Sequence, residues 1–315
     1  MKHDKLLKKK NVVAVWTGTK KVNGRDTGKK ALVVGVSKKE SMTSLKKKDV
    51  VPVNIHGVET DVVEVGEIKA LSVDRINKFR PAPGGVSIGH YAITAGTLGG
   101  VVKKNGVRMI LSNNHVLANS NNAKVGDAIY QPGPYDNGTV MDKIATLDAF
   151  VPIKFEGNSD GCNPFSKLLN VTKKLFCKLS GRAFLKTNKV DCALARPVVD
   201  ADVSNELLEL CTPIGYGATD IGQTDRKSGR TTAVTESMVI GTDAEVSVGY
   251  GYNLVAVFED QLIYGPMSQG GDSGSELVSS NNRIVGLLFA GSDTITIANK
   301  IGNVIEALGL DASLS

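Results

Sequence analysis

Short runs of β-branched and aliphatic residues, separated by turn residues, dominate the hydrophobic pattern of the chain. Four such runs lie near the start, at 12–17, 31–36, 50–55 and 60–65. Runs of this length between turn dipeptides such as His56-Gly57 predict β-strands. The polar stretch 41–48, between the second and third runs, has helical potential. The pattern therefore predicts a small α/β domain over residues 1–75.

The pattern changes at 71–85, which ends in Arg80-Pro81-Ala82-Pro83-Gly84-Gly85. Proline and paired glycine interrupt regular structure, so we predict a linker at 76–85 and a second domain at 86–315.

Short strand-like segments recur throughout this second domain. They lie at 98–103, 107–111, 128–131, 144–153, 190–195, 234–239, 254–258, 276–278, 284–290 and 294–297. Asn105-Gly106 is the favoured dipeptide of a type I′ hairpin turn between the first two. Many short strands without long alternating helices favour antiparallel β-barrels over a parallel sheet.

Two segments have helical spacing instead. Ile301, Val304, Ile305 and Leu308 share one face of a predicted C-terminal helix at 299–308. A second amphipathic pattern predicts a helical insertion at about 158–182, with lysines between its apolar positions. We expect its apolar face to pack on the barrel; an oligomer contact, a lid and a membrane-surface helix remain alternatives.

The 315 residues are enough for a core that needs no disulfide bonds. The net charge of +6 is uneven, because the first fifty residues carry fifteen Lys and Arg against four acidic residues. That region is therefore net +11 and the rest about −5. A solubilising lysine-rich surface is expected, with an acidic partner, nucleic acid or anionic lipid as alternatives; lysines without interleaved aromatic residues indicate nucleic acid poorly.

Residues 1–10 are charged, and the apolar run 12–16 is too short for a signal-peptide core. No window is long and apolar enough to span a bilayer, so we expect a cytoplasmic protein.

The cysteines, Cys162, Cys177, Cys192 and Cys211, have no Cys-x-x-Cys spacing. Reduced thiols and no metal or cofactor are therefore expected, and a Cys162–Cys177 bridge remains open.

The strongest chemical signal is Gly270-Gly271-Asp272-Ser273-Gly274-Ser275. A serine between glycines can be presented by a sharp backbone turn, with N–H groups directed at a developing oxyanion. Leu111-Ser112-Asn113-Asn114-His115-Val116 supplies a histidine upstream. Asp191, in Val190-Asp191-Cys192-Ala193, lies between the two. The chain thus contains a nucleophile, a base and an acid that can orient the base.

These motifs resemble those of trypsin-like (chymotrypsin-fold) serine peptidases, in the order His, Asp, Ser. The Asn-Asn-His-Val segment is similar to bacterial glutamyl-endopeptidase and high-temperature-requirement peptidase domains. The resemblance covers the chain from about Pro83 onwards and implies two six-stranded antiparallel β-barrels with a C-terminal helix. The segment Thr60-Asp61-Val62-Val63-Glu64-Val65-Gly66 resembles a leader domain of a bacterial subgroup of these peptidases.

The resemblance implies His115, Asp191 and Ser273 as the catalytic residues, with Asp148 as a competitor for Asp191. It also implies an oxyanion hole formed by the N–H groups of Gly271 and Ser273.

A substrate pocket near Met267, Phe289, Ala290 and Gly291 is expected by the same alignment. Met267 stands where a trypsin has an acidic residue, so the side chain before the cleaved bond (P1) should be neutral and apolar or small. Phe289 departs from the family, which usually has a serine there that supports the catalytic aspartate.

The expected activity is that of a serine endopeptidase that cleaves proteins or peptides through an acyl-enzyme. The alternative is a catalytically weak or latent protein of the same fold. Such a protein would act as a binding or scaffold module, or as a dedicated processing protease activated by a partner. The sequence leaves a homo-oligomer open.

Overall fold

The computed structural model describes residues 4–22, 24–66, 68, 73–93, 96–156, 187–251 and 253–314. The chain divides into two compact units, Met1–Val73 and Asp74–Ser315. The helical insertion predicted at about 158–182 lies outside the described residues, as do Cys162 and Cys177. The predicted linker, 76–85, lies inside the larger unit, because Ala82–Gly84 there is a buried strand.

The described residues of the smaller unit form a four-stranded sheet and one short helix. Its elements are α1 (Asp4–Leu7), β1 (Val12–Val22), β2 (Arg25–Val36), β3 (Asn54–Ile55) and β4 (Val58–Glu64). The strand order is β1-β2-β4-β3, with β2 and β4 parallel. The second half of β2, at 31–36, is wholly buried, as its continuous aliphatic run requires of a central strand.

The helix expected at 41–48 does not form, and turns occupy that segment. The Ser44 hydroxyl donates to the Ser41 carbonyl oxygen at 2.7 Å. Hydroxyl side chains that bond to nearby backbone compete with helical hydrogen bonding, which explains the turns.

The larger unit begins with β5 and ends with a helix. Its elements are β5 (Ala82–Gly84), β6 (Ser87–His90), β7 (Gly96–Thr97), β8 (Gly100–Lys104), β9 (Val107–Ser112), α2 (Asn114–Leu117), β10 (Ala128–Tyr130), β11 (Lys143–Phe150), β12 (Thr187–Asn188), β13 (Ala193–Pro197), β14 (Val203–Leu207), β15 (Thr224–Gly229), β16 (Ala233–Gly249), β17 (Val255–Tyr264), β18 (Glu276–Val278), β19 (Ile284–Gly291), β20 (Thr296–Lys300) and α3 (Ile301–Leu308).

The first large sheet has seven strands in the order β7-β6-β10-β11-β13-β9-β8. Its two edge strands, β7 and β8, are separated in sequence by Leu98 and Gly99 alone, so the sheet curls until its edges approach each other. Asn105 and Gly106 form the predicted hairpin turn, with φ of 52° and 75° as a type I′ turn requires. Apolar side chains inside the curl, including Ile88, Leu98 and Ile110, are fully buried.

The second large sheet has the order β12-β17-β16-β15-β18-β19-β20, and β17 also pairs with β20. Strands β15 to β20 therefore form a closed antiparallel ring, and β12 is a short parallel addition at its outside. Two antiparallel barrels followed by α3 constitute the chymotrypsin-like arrangement, which confirms the predicted fold class. Among the helices that the structure describes, none is long and apolar enough to cross a membrane.

Candidate active site

Strand register brings His115 and Asp191 together. Strands β9 and β13 are antiparallel, with Ser112 opposite Ala193. Residues just after Ser112 therefore lie beside residues just before Ala193. Since His115 is in α2, directly after β9, it comes into contact with Asp191, although 76 positions separate them in sequence.

Asp191 fixes the orientation of the His115 ring. Its Oδ2 accepts from His115 Nδ1 at 2.6 Å, and its Oδ1 accepts from the His115 backbone N–H at 3.3 Å. Asp191 is fully buried, whereas the His115 side chain is 21% exposed. A carboxylate can only accept, so Nδ1 carries the proton and Nε2 is left as the basic nitrogen.

A further donor to Asp191 was not found by sequence reasoning. The Tyr250 hydroxyl donates to Asp191 Oδ2 at 2.7 Å. Tyr250 follows β16 directly, and nothing in its local sequence distinguishes it from other tyrosines. Burial and the charge of Asp191 raise the pKa of this phenol well above its ordinary value.

Two glycines give the Ser273 loop its shape. Gly271 has φ of 97°, and a Cβ there would lie 2.4 Å from Thr231 Oγ1. Gly274 has φ of 98°, and a Cβ there would lie 2.1 Å from Ser112 Oγ. Only glycine fits either position without strain, which is the physical basis of the Gly-x-Ser-Gly pattern.

The same loop leaves two backbone donors free. The Gly270 carbonyl oxygen accepts from Thr231 Oγ1 at 2.8 Å, so the N–H of Gly271 faces the opposite side of that peptide. The Asp272 carbonyl oxygen likewise accepts from Ser275 N at 3.1 Å and directs the Ser273 N–H away. Within the described residues neither N–H has a hydrogen-bond partner. These are the two donors that the sequence predicts for an oxyanion hole.

The Asp272 carboxylate anchors this loop to the neighbouring backbone at Thr231 and Thr232. It accepts from the N–H groups of Gln269, Thr231 and Thr232 at 2.8–3.1 Å and from the Thr232 hydroxyl at 2.7 Å. Lys227 Nζ lies 3.5 Å away, and both side chains are completely buried. Burial lowers the pKa of Lys227 to about 8, although Asp272 acts in the opposite direction. Sequence reasoning did not find Lys227 as a partner of this loop.

Contacts with the first sheet complete the position of the loop. Thr97 N donates to the Ser273 carbonyl oxygen at 2.8 Å, and Thr97 Oγ1 donates to the Gly271 carbonyl oxygen at 2.8 Å. Ser273 therefore lies where the two large sheets meet. Its hydroxyl donates to the Phe289 carbonyl oxygen at 3.3 Å rather than to His115.

The residues expected to form a substrate pocket lie on two segments of the second sheet. Met267 is buried in a cluster with Tyr264 and Leu277. Phe289 is buried on β19 and packs on Phe258 with ring centroids 4.7 Å apart. The rest of β19 is more open: Ala290 is half-buried and Gly291 is exposed.

The competing aspartate lies elsewhere. Asp148, on β11, pairs with Arg196 at 3.1 Å in a partly exposed ion pair.

Cys192, beside Asp191, is a free buried thiol whose pKa is raised by burial and by the charge of Asp191. Among the described residues, no cluster of three or more His, Cys, Asp or Glu side chains could hold a metal ion.

A second acidic residue, three positions after Ser273 in the sequence, was also not singled out. Glu276 is buried on β18, and both of its carboxyl oxygens lack a hydrogen-bond partner among the described residues. Burial raises the pKa of this carboxyl to about 8. The group is therefore largely protonated at neutral pH.

Neither a protein-family model nor a curated protein matches the sequence. Solved structures that are similar to this chain include Protease A of Thermobifida fusca, with 12% identity, a TM-score of 0.49 and coverage of 74% of this chain and 99% of that chain. The chymotrypsin of Cellulomonas bogoriensis has 15% identity and a TM-score of 0.45, with coverage of 74% and 99%. A glutamic acid specific serine protease that uses a histidine triad in substrate binding has 18% identity and a TM-score of 0.46, with coverage of 74% and 100%. At these values the similarity assigns neither activity nor specificity to this chain, and the fold assignment rests on the strand topology.

Proposed function

We propose that this protein is a serine endopeptidase that hydrolyses peptide bonds through an acyl-enzyme, with Ser273 as nucleophile, His115 as base and Asp191 as the residue that orients the base. The observation that carries the proposal is the buried Asp191 carboxylate, which accepts from both the backbone N–H and Nδ1 of His115. An imidazole held in this way presents a basic Nε2, as nucleophile activation requires.

In the proposed reaction, the Ser273 hydroxyl turns from the Phe289 carbonyl towards His115 Nε2. The hydroxyl attacks the substrate carbonyl carbon while Nε2 takes its proton. Asp191 stabilises the imidazolium, which then donates its proton to the leaving amine. Water, activated by the same imidazole, cleaves the acyl-enzyme and regenerates the serine.

The free N–H groups of Gly271 and Ser273 support stabilisation of the tetrahedral intermediate. Both donors belong to a loop fixed by Asp272, so they need little rearrangement as charge develops on the substrate oxygen. Loss of one such donor in a serine peptidase costs about 2.7–4 kcal/mol of transition-state stabilisation.

Proteins or peptides with a neutral, apolar or small P1 side chain are the proposed substrates. Met267 is a buried thioether and cannot pair with a basic P1 residue. The exposed Gly291 would leave the entrance of the P1 pocket open. Cytoplasmic location and the absence of a cofactor remain predictions of the sequence.

Labelling with a fluorophosphonate probe tests the proposal directly, because this reagent reacts covalently with an activated serine. We expect the native chain to be labelled and Ser273→Ala and His115→Ala to remain unlabelled. Ser273→Ala should unfold in urea at nearly the native midpoint, since a half-exposed hydroxyl contributes little packing.

Labelling of Ser273→Ala at the native rate would contradict the assignment of the nucleophile. A native chain that is not labelled would favour the alternative of a latent peptidase or binding module of the same fold.

A further inference from the structure

Tyr250 lies at the tip of the longest hairpin among the described residues of the larger unit. Strand β16 runs for 17 residues and pairs with β17. The tip is closed by hydrogen bonds from Tyr250 N to Leu254 O and from Leu254 N to Gly251 O, both 2.8 Å long. The hairpin thus carries a tyrosine from the second sheet to Asp191, which lies two residues before strand β13 of the first sheet.

The tip is held there by aromatic packing. The Tyr250 ring meets Phe155 edge-on, with centroids 5.4 Å apart at 77°, and it lies 6.3 Å from Phe258. It also meets the His115 ring at 5.8 Å and 74°. A buried aromatic side chain with several such contacts has a well-defined position, so its hydroxyl is aimed rather than mobile.

The Tyr250 hydroxyl and His115 Nδ1 share one acceptor atom. Both donate to Asp191 Oδ2, at 2.7 and 2.6 Å. With the His115 N–H on Oδ1, the carboxylate has three donors and no freedom to rotate. The serine that the resemblance would place at Phe289 is missing, and Phe289 packs on Phe258. The side-chain hydroxyl that donates to Asp191 therefore belongs to Tyr250, which follows β16 rather than lying on β19.

We propose that Tyr250 is a positioning residue of the candidate active site, whose phenol fixes the Asp191 carboxylate and shares its charge with His115. The inference rests on the proposed function and extends it to the β16–β17 hairpin, which then sets the orientation of the base from a distance. Any displacement of the hairpin tip would release the carboxylate and with it the orientation of the base.

The phenol remains a donor across the pH range in which a peptidase of this type acts. Burial and the adjacent carboxylate hold the pKa of Tyr250 far above neutrality. The other titratable group beside Asp191 in the described part of the chain is the Cys192 thiol, which burial keeps neutral. The remaining partners of Asp191, the amides of Asn113 and Asn299, bind its backbone and carry no charge.

A buried tyrosine also needs a hydrogen-bond partner for purely structural reasons. The chain contains a matched control for that role. The Tyr264 hydroxyl donates to Asp225 Oδ2 at 2.9 Å, and Tyr264 is fully buried in the core of the second sheet. Tyr250→Phe and Tyr264→Phe therefore delete the same group from the same kind of bond, one at Asp191 and the other at Asp225.

The experiment compares both variants with the native chain by two readouts. The first is the proton NMR signal of the His115 Nδ1–H, which is expected far downfield in a short bond to a carboxylate and does not depend on activity. The second is the pH profile of the second-order rate of fluorophosphonate labelling.

Tyr250→Phe should shift or broaden the downfield signal and lower the labelling rate about tenfold, as for the loss of a bond to a charged group. The midpoint of the acid side of the profile should move upwards by about half a pH unit, because an unshared carboxylate charge stabilises the imidazolium better. Tyr264→Phe should leave the signal and the midpoint as in the native chain.

An unchanged signal, rate and midpoint in Tyr250→Phe would overturn the inference, as would equal changes in the two variants. A native chain that is not labelled would contradict the proposed function alone. In that case the NMR signal still decides whether Tyr250 positions the Asp191–His115 pair.

Discussion

Asp191 and Asp272 are both completely buried at the candidate active site, but they hold different groups. Asp272 binds backbone N–H groups of the Thr231 turn and of its own loop, and it faces the buried Lys227 ammonium. Asp191 binds the His115 imidazole and the Tyr250 phenol, both neutral when the histidine is unprotonated. One carboxylate is compensated by a fixed cation, the other by neutral donors.

This difference separates a structural carboxylate from a reactive one. A buried charge whose counter-charge is already in place stabilises one arrangement and changes little during a reaction. A buried charge with neutral partners gains a counter-charge only when the imidazole takes up a proton, which is the event that serine activation requires. Glu276 is a third case, since it has no partner and burial keeps it protonated near neutral pH.

The largest expected effect is the loss of activity in Asp191→Asn. An amide in this position can donate to Nδ1 and favours the wrong imidazole tautomer, so the labelling rate should fall by about 10⁴-fold. The far-ultraviolet circular dichroism spectrum should remain native. Asp148→Asn is the control, because it disrupts only a partly exposed ion pair, and its rate should stay near the native value. The reverse ranking would mean that Asp148, not Asp191, orients the base.

The next effect concerns the stability of the Ser273 loop. Lys227→Met leaves the Asp272 charge without its cation, and loss of one partner of a buried pair destabilises a protein by about 3–5 kcal/mol. Urea unfolding measures this. Adding Asp272→Asn to the same chain should recover part of the loss, because the uncompensated charge is then removed. A double variant that is less stable than Lys227→Met would show that the carboxylate acts mainly through its backbone hydrogen bonds.

The last effect is the pH dependence that Glu276 gives to stability, which is spread over several pH units. Its pKa rises from its usual value of about 4.3 when unfolded to about 8 in the folded chain. The folded state therefore binds this proton more tightly. The stability is present below the unfolded pKa and is lost as the pH rises towards 8 and beyond, by at most about 5 kcal/mol.

Glu276→Gln keeps the shape and cannot ionise, so its urea midpoint should fall less than that of the native chain between pH 5 and pH 9. The native chain is the matched reference, because Lys227 and every other group titrate in both proteins. Parallel curves for the two proteins would show that the Glu276 carboxyl is not held in its protonated form.

The sequence predicted the elements that depend on local chemistry. Asn105-Gly106 specified a hairpin turn because few dipeptides accept positive φ at both positions. The glycines around Ser273 indicated a tight, exposed turn for a similar reason. At 41–48 the same approach failed, because the pattern of polar residues did not reveal that serine hydroxyls would bond to the backbone there.

The sequence by itself favoured antiparallel β-barrels, since apolar periodicity and turn chemistry are local properties. The resemblance of its motifs to those of serine peptidases implied the two-barrel arrangement and His115, Asp191 and Ser273 as candidates. Only the tertiary structure decided which groups surround Asp191, Asp272 and Glu276. Lys227 meets Asp272 across 45 positions and Tyr250 meets Asp191 across 59. Such contacts follow from strand register and hairpin length, and burial then fixes the charge state of each group.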